Sequence, residues 1–213
     1  MTTLLMVRHG ESEANRNNIF AGNFDADLQH RGEKQAMKTA DFIAENYKVD
    51  KIYASDLKRA FKTGKAIADR LSMDVIPDRR LREISAGDWE GQKFDFIFEK
   101  FPEEYNVWCN DVGNAQCPNG ESTRQLGERI LSALTDIAEQ NDGKTVVIAT
   151  HATPVRVMQT HCTYGDIGRM KDVKWVSNAS VSEFIFEGGK FRCGKMSQDE
   201  HLGDLLTRLP ANV

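Results

Sequence analysis

A chain of 213 residues, 40% hydrophobic and 28% charged, is long enough for one large domain with a sizeable core and a solvated surface. Its formal net charge of -4 gives no electrostatic footprint for nucleic acid or an anionic membrane, so any anion site must be a local concentration of cations. The four cysteines, Cys109, Cys117, Cys162 and Cys193, include no C-x-x-C pair and read as free thiols of a reducing compartment.

Leu4 to Val7 is apolar on both faces, as expected of a buried strand, and is too short for a leader peptide or a membrane span. A cytoplasmic protein is therefore expected, in which the Asn178-Ala179-Ser180 sequon is idle. A helix is predicted over Glu33 to Tyr47, where Ala36, Ala40, Ile43 and Tyr47 recur at helical spacing. The run 51–55 is strand-like, and the stripe from Leu57 to Leu71 predicts an amphipathic helix. A weak strand follows at 74–77. Residues 87–120 carry seven aromatics among Gly, Asn and Pro, and read as a loop plus one short helix inserted over the sheet edge. A long helix is predicted over Ser122 to Gln140, then a strong strand at 144–150 and a helix at 153–162 with Pro154 in its first turn. Two strands flanking Glu187-Gly188-Gly189 predict a late hairpin.

This order implies a single α/β domain over 1–213: three layers, α/β/α, with a mostly parallel central sheet, a late antiparallel hairpin and a small inserted cap region at about 87–120. Parallel strands linked through helices place their carboxyl ends along one edge, where such folds bind ligands. Three strands end there in chemistry: Val7 before Arg8-His9, Ala54 before Ser55-Asp56, and Thr150 before His151.

A neutral imidazole is a competent nucleophile, and arginines bind a phosphoryl group through charge-assisted hydrogen bonds. Gly10 removes a side chain beside His9 and is read as letting an anion approach the backbone. A charged His151 would stabilise the equatorial oxygens of a phosphoryl transition state. The leaving oxygen then needs an acid. Glu83, between apolar Leu81 and Ile84, is one candidate among 32 acidic residues, with an ion pair to Arg82 or Arg80 as its structural alternative. Asn15 and Glu11 also fit helix-start roles, while His30, His161 and His201 read as solvated or packed. Trp89 and Phe94 are read either as core or as the lining of a substrate mouth.

Five blocks in order carry a resemblance. They are "RHGESEAN" (8–15) with "AGNFDADLQHRGEKQA" (21–36), "SDLKRAFKTG" (55–64), "LREISAGDWEG" (81–91), "PNGES" (118–122) and "VVIATHATPVR" (146–156). The chain resembles the histidine phosphatase superfamily, in its phosphoglycerate mutase-like branch, from Leu4 to about Phe186. The resemblance implies His9 as a nucleophile that becomes phosphohistidine, with Arg8, Arg59 and His151 completing a cationic phosphate pocket. It implies Glu83 as proton donor to the leaving alcohol and then as base for water, and Asn15 and the backbone near Gly22 as substrate contacts. A small phosphorylated substrate is the implied partner, with no metal or other cofactor, and a homodimer is left open. Several positions depart from the family pattern. Ala152 follows His151 where a glycine is usual, adding a methyl beside the pocket, and Gly64 replaces a usual alanine. Ala21 and Ala86 stand where mutases carry Ser or Thr and Tyr, and the insertion lacks a basic grip for a bisphosphate. These departures favour a phosphomonoesterase over a phosphoglycerate mutase. A non-catalytic phospho-ligand module ranks last, because every charged pocket residue is present.

Overall fold

The computed structural model describes residues 1–207. In chain order it contains β1 (Thr2–Arg8), α1 (Glu13–Arg16), α2 (His30–Asn46), β2 (Lys51–Ala54), α3 (Lys58–Leu71), β3 (Ile76–Pro77), α4 (Phe94–Lys100), α5 (Pro102–Asn110), α6 (Thr123–Gln140), β4 (Thr145–Thr150), α7 (Ala152–Tyr164), β5 (Val181–Glu187) and β6 (Lys190–Cys193). The strands form one sheet in the order β3-β2-β4-β1-β5-β6. The first four run parallel, and β5 and β6 close the other edge as the antiparallel hairpin.

The period of two along a strand divides the core between the two faces. Leu4 and Met6 join Val146, Ile148, Leu126, Ile130 and Val155 beneath α6 and α7. Leu5 and Val7 join Val147, Ile52, Ala40, Ile43 and Ile67 beneath α2 and α3. All four residues from Leu4 to Val7 are fully buried, each worth about 1.5–3 kcal/mol relative to exposure. β1 is thus a central strand clamped from both sides. Gly64 lets α3 settle onto the sheet, since a Cβ there would lie 3.1 Å from the methyls of Ala54 and Ala149. Ser122 starts α6 with a capping box: its Oγ accepts from Gln125 N, and Gln125 Oε1 accepts from Ser122 N.

Two expectations change. The predicted strand at 74–77 pairs over only Ile76–Pro77. Residues 87–120 hold two short helices, not one, because Pro102 opens α5 two residues after α4 ends. The ends of this excursion are stitched together by Glu121 N donating to Ser85 O (2.7 Å) and Asp88 N to Pro118 O (2.9 Å). Its rings form their own edge-to-face cluster, with Phe20 4.9 Å from Trp108 and 5.3 Å from Trp89. Trp89 is completely buried there, so it is core and not a mouth residue, whereas Phe94 does line the neighbouring cavity.

Candidate active site

Register places the two histidines. β1 and β4 pair in parallel with Arg8 opposite Thr150, so the next residue of each strand emerges at the same level of the sheet's carboxyl edge. The rings of His9 and His151 consequently lie 5.2 Å apart, edge to face. The edge faces a cavity of 1130 Å³ lined by Arg8, His9, Asn15, Gly22, Arg59, Glu83 and Ala152, and walled on one side by the rings of Phe20, Phe94, Tyr105 and Trp108.

His9 is held in one tautomer. Its Nδ1 lies 2.7 Å from the carbonyl of Gly10, which can only accept, so Nδ1 carries the proton and Nε2 keeps its lone pair. The backbone is pinned too: His9 O accepts from Ala179 N (3.2 Å) and from Asn178 Nδ2 (3.1 Å). Burial, then the Arg59 and Arg8 guanidinium groups, hold the ring pKa well below its ordinary value. A neutral ring with its Nε2 lone pair free follows.

The arginines are buried and only partly partnered. Arg59 donates to Phe24 O (2.9 Å) and Gly22 O (2.7 Å), and Arg8 donates to Val176 O (2.5 Å). Their Nε atoms have no partner within the protein. Burial pushes both guanidinium pKa values down to about 10, which leaves them charged at neutral pH. Gly22 presents its carbonyl to Arg59 from a left-handed conformation (φ 50°), where a Cβ would come within 2.7 Å of Ala86 Cβ.

Glu83 is half-buried between the fully buried Leu81 and Ile84. Its carboxylate accepts from Ile84 N (2.9 Å) and Thr153 N (3.3 Å) at the start of α7. It pairs with neither neighbouring arginine. Arg82 is taken bidentately by Asp56 (2.6 and 2.7 Å) and Arg80 by Asp78 and Asp136. The loop is fixed by Thr150 Oγ1 donating to Leu81 O (2.7 Å) and Arg129 donating to Glu83 O (3.1 Å).

Two expectations need correction, and a third residue combines both of its readings. Gly10 does not open the backbone to an anion: a Cβ there would stand 2.3 Å from Gly32 O, so the glycine exists for close packing onto the start of α2. His151 is neutral rather than charged, its pKa held well below the ordinary value by burial and by Arg59 and His9. It also lies behind the cavity wall, fully buried, with Ala152 on the wall in its place and its Nε2 2.9 Å from Ser55 Oγ. Its Nδ1 is unpartnered. Asn15 is both a cap and a site residue. Its Oδ1 accepts from Ser12 N and from Asn178 Nδ2, leaving its own Nδ2 to offer the cavity.

Sequence reasoning marked Ser55 only as a strand end, without its role in orienting His151, and passed over Asn178, which pins His9 from within the supposedly idle sequon. It also passed over Arg156, Lys171, Lys174 and Trp175 on the far wall. Only Ser55 carried a signal, the polar residue at the end of β2.

A buried neutral imidazole between two arginines, at the carboxyl edge of a doubly wound sheet, is an arrangement suited to phosphoryl transfer. The sequence model of the histidine phosphatase superfamily (branch 1) matches residues 4–199. The chain is 31% identical to phosphoserine phosphatase 1 of Hydrogenobacter thermophilus over 204 residues, 96% of each protein. It superposes on Bacillus stearothermophilus YhfR with a TM-score of 0.90 at 26% identity, covering 95% of this chain and all of that one. A phosphoserine phosphatase of Entamoeba histolytica in complex with 3-phosphoglyceric acid gives 0.81 at 27% identity, with 95% and 100% covered. The chain belongs to the histidine phosphatase superfamily.

Proposed function

We propose that the protein is a phosphomonoesterase that hydrolyses a small phosphorylated metabolite through a phosphohistidine on His9. The observation that carries this reading is the fixed tautomer of His9. With Nδ1–H on Gly10 O, Nε2 is the free nitrogen, buried between the charged Arg8 and Arg59. Nε2 attacks phosphorus while the bond to the leaving oxygen breaks and that oxygen takes a proton from Glu83. Glu83 then removes a proton from water as water attacks phosphorus, the N–P bond breaks, and phosphate leaves. Arg8 and Arg59 hold the equatorial oxygens with preorganised charge. His151 buttresses His9 from behind, ring against ring. The whole chain acts as one domain, with 87–120 as the cap that selects the leaving group. The four unpaired thiols support a cytoplasmic setting, and no described helix is long and apolar enough to cross a membrane.

Incubation with p-nitrophenyl phosphate and with 3-phosphoglycerate, following phosphate release and isomer exchange, tests the reading. Net release and acid-labile labelling of His9 are expected. Isomer exchange without release would replace the phosphatase by a mutase.

A further inference from the structure

A carboxylate that takes no part in the phosphoryl chemistry joins the two loops on which that chemistry depends. Glu90 Oε1 accepts from Asn23 N (3.1 Å) and from Ala86 N (3.0 Å). The first of these amides belongs to the same peptide unit as Gly22 O, which accepts from Arg59 Nη2 (2.7 Å). Phe24 O, on the same loop, accepts from Arg59 Nη1 (2.9 Å). The second amide, Ala86 N, lies on the loop that carries Glu83.

A peptide unit is planar, and in the trans form its N–H and C=O point in opposite directions. Holding Asn23 N–H therefore fixes where Gly22 O points, and with it where the Arg59 guanidinium lies. The carboxylate and the guanidinium sit at the two ends of one peptide dipole, an order in which each hydrogen bond polarises and strengthens the other. Burial opposes the charge of Arg59, and Glu83, Asp25 and Glu90, in that order, support it. Glu90 is itself held. Trp89 before it is completely buried, and Gly91 N after it donates to Phe20 O (2.9 Å). Gly22 packs against it, since a Cβ there would lie 3.0 Å from Glu90 Cγ. Among the described residues Glu90 forms no ion pair, and Arg82, within its electrostatic reach, is engaged by Asp56.

We propose that Glu90 is a positioning residue: by gripping both loops with one oxygen, it sets the spacing between the Arg59 that holds the phosphoryl group and the Glu83 that protonates the leaving oxygen. This rests on the phosphatase reading and adds to it a residue at the root of the inserted cap. Loss of the grip frees Gly22 O to turn away, which releases Arg59, and lets the acid loop drift from the phosphoryl site.

Orthovanadate, which takes up the five-coordinate shape of phosphoryl transfer, reports the Arg59 side. Its Kd from titration calorimetry is independent of how much enzyme is folded, which enters only the stoichiometry. Glu90→Ala should raise that Kd by about 10-fold or more, from two lost charge-assisted hydrogen bonds. Glu90→Gln should restore most of the affinity, because its amide oxygen can accept from both N–H groups. In an Arg59→Lys background, where the two carbonyls no longer hold a guanidinium, Glu90→Ala should cost less than about 2-fold. The acid side is read from the kcat/KM ratio of glycerol 3-phosphate to p-nitrophenyl phosphate, which Glu90→Ala should lower by about 5-fold or more. An equal loss with and without Arg59→Lys, no rescue by Glu90→Gln, or an unchanged substrate ratio overturns the assignment and leaves the phosphatase reading standing. A wild-type protein that neither binds orthovanadate nor hydrolyses p-nitrophenyl phosphate would sink the phosphatase reading and this role with it.

Discussion

Two buried neutral histidines make a quantitative demand on stability. His9 and His151 are 5% and 0% exposed, and burial followed by the charge of Arg59 holds both pKa values well below the ordinary one. In the unfolded chain each titrates near about 6.5. Below that pH the unfolded state binds protons that the folded state refuses, so stability falls as pH falls. Between pH 7.5 and 5.5 each histidine costs about RT ln 10, about 1.4 kcal/mol, or roughly 2.7 kcal/mol for the pair. The double variant His9→Gln, His151→Gln removes this component and keeps the remaining histidines and carboxylates as a shared background. Urea unfolding of both proteins at the two pH values isolates it. The wild-type midpoint should fall by roughly 1 M more than that of the variant, taking about 2–3 kcal/mol per M for the slope. Parallel pH dependence in the two proteins would show that the imidazoles charge inside the fold as readily as outside it, and the neutral-nucleophile argument would go with it.

Glu83→Gln should lower kcat/KM on alkyl phosphates by about 100-fold or more and on p-nitrophenyl phosphate far less, since only a poor leaving group needs the proton. Equal losses on both substrates would remove the acid role. Gly10→Ala places a Cβ 2.3 Å from Gly32 O, and thermal unfolding should show a loss of at least about 2 kcal/mol; an unchanged Tm would refute the packing role. The Cys162 thiol, hydrogen-bonded to Cys193, lowers the Cys193 pKa to about 7, so more thiolate is present as pH rises through that value. Alkylation of Cys193, followed by peptide mapping, should show a midpoint near pH 7 that moves upward in Cys162→Ala, and a midpoint unaffected by that change would sink the pairing.

What could be read from the chain was whatever its local pattern exposes. Apolar runs ending in Arg8-His9 and Thr150-His151 marked both strands and their useful ends, and the hairpin and the long α6 follow from turn and cap residues. What could not be read depends on contacts between distant segments. Gly10 answers to Gly32, a neighbour made only when α2 folds back along β1. Asn178 reaches His9 across 169 positions, and nothing near it in sequence marks that contact. Arg156 sits on α7, where its carbonyl partners at 170 and 173 carry no side-chain signal at all. The seven aromatics of the excursion marked a small core, yet no pattern said that Pro102 would begin a second helix instead of ending the region's only one.

The same long-range accounting explains why Glu83 carries no ion pair. Arg80 and Arg82 flank it in sequence and would quench it as an ion pair, but Asp78, Asp136 and Asp56 engage both of them first. Arg129 approaches from α6, yet it is held bidentately by Glu121 and reaches Glu83 only at the backbone carbonyl. Each nearby cation outside the cavity is thus matched by an acid outside the cavity. The arginines that line the cavity, Arg8, Arg59 and Arg156, have no paired carboxylate among the described residues, and Glu83 is the carboxylate whose charge acts on all three. In a chain whose net charge is -4, the positive field of the site comes from where the acids have been placed, not from an excess of arginine and lysine.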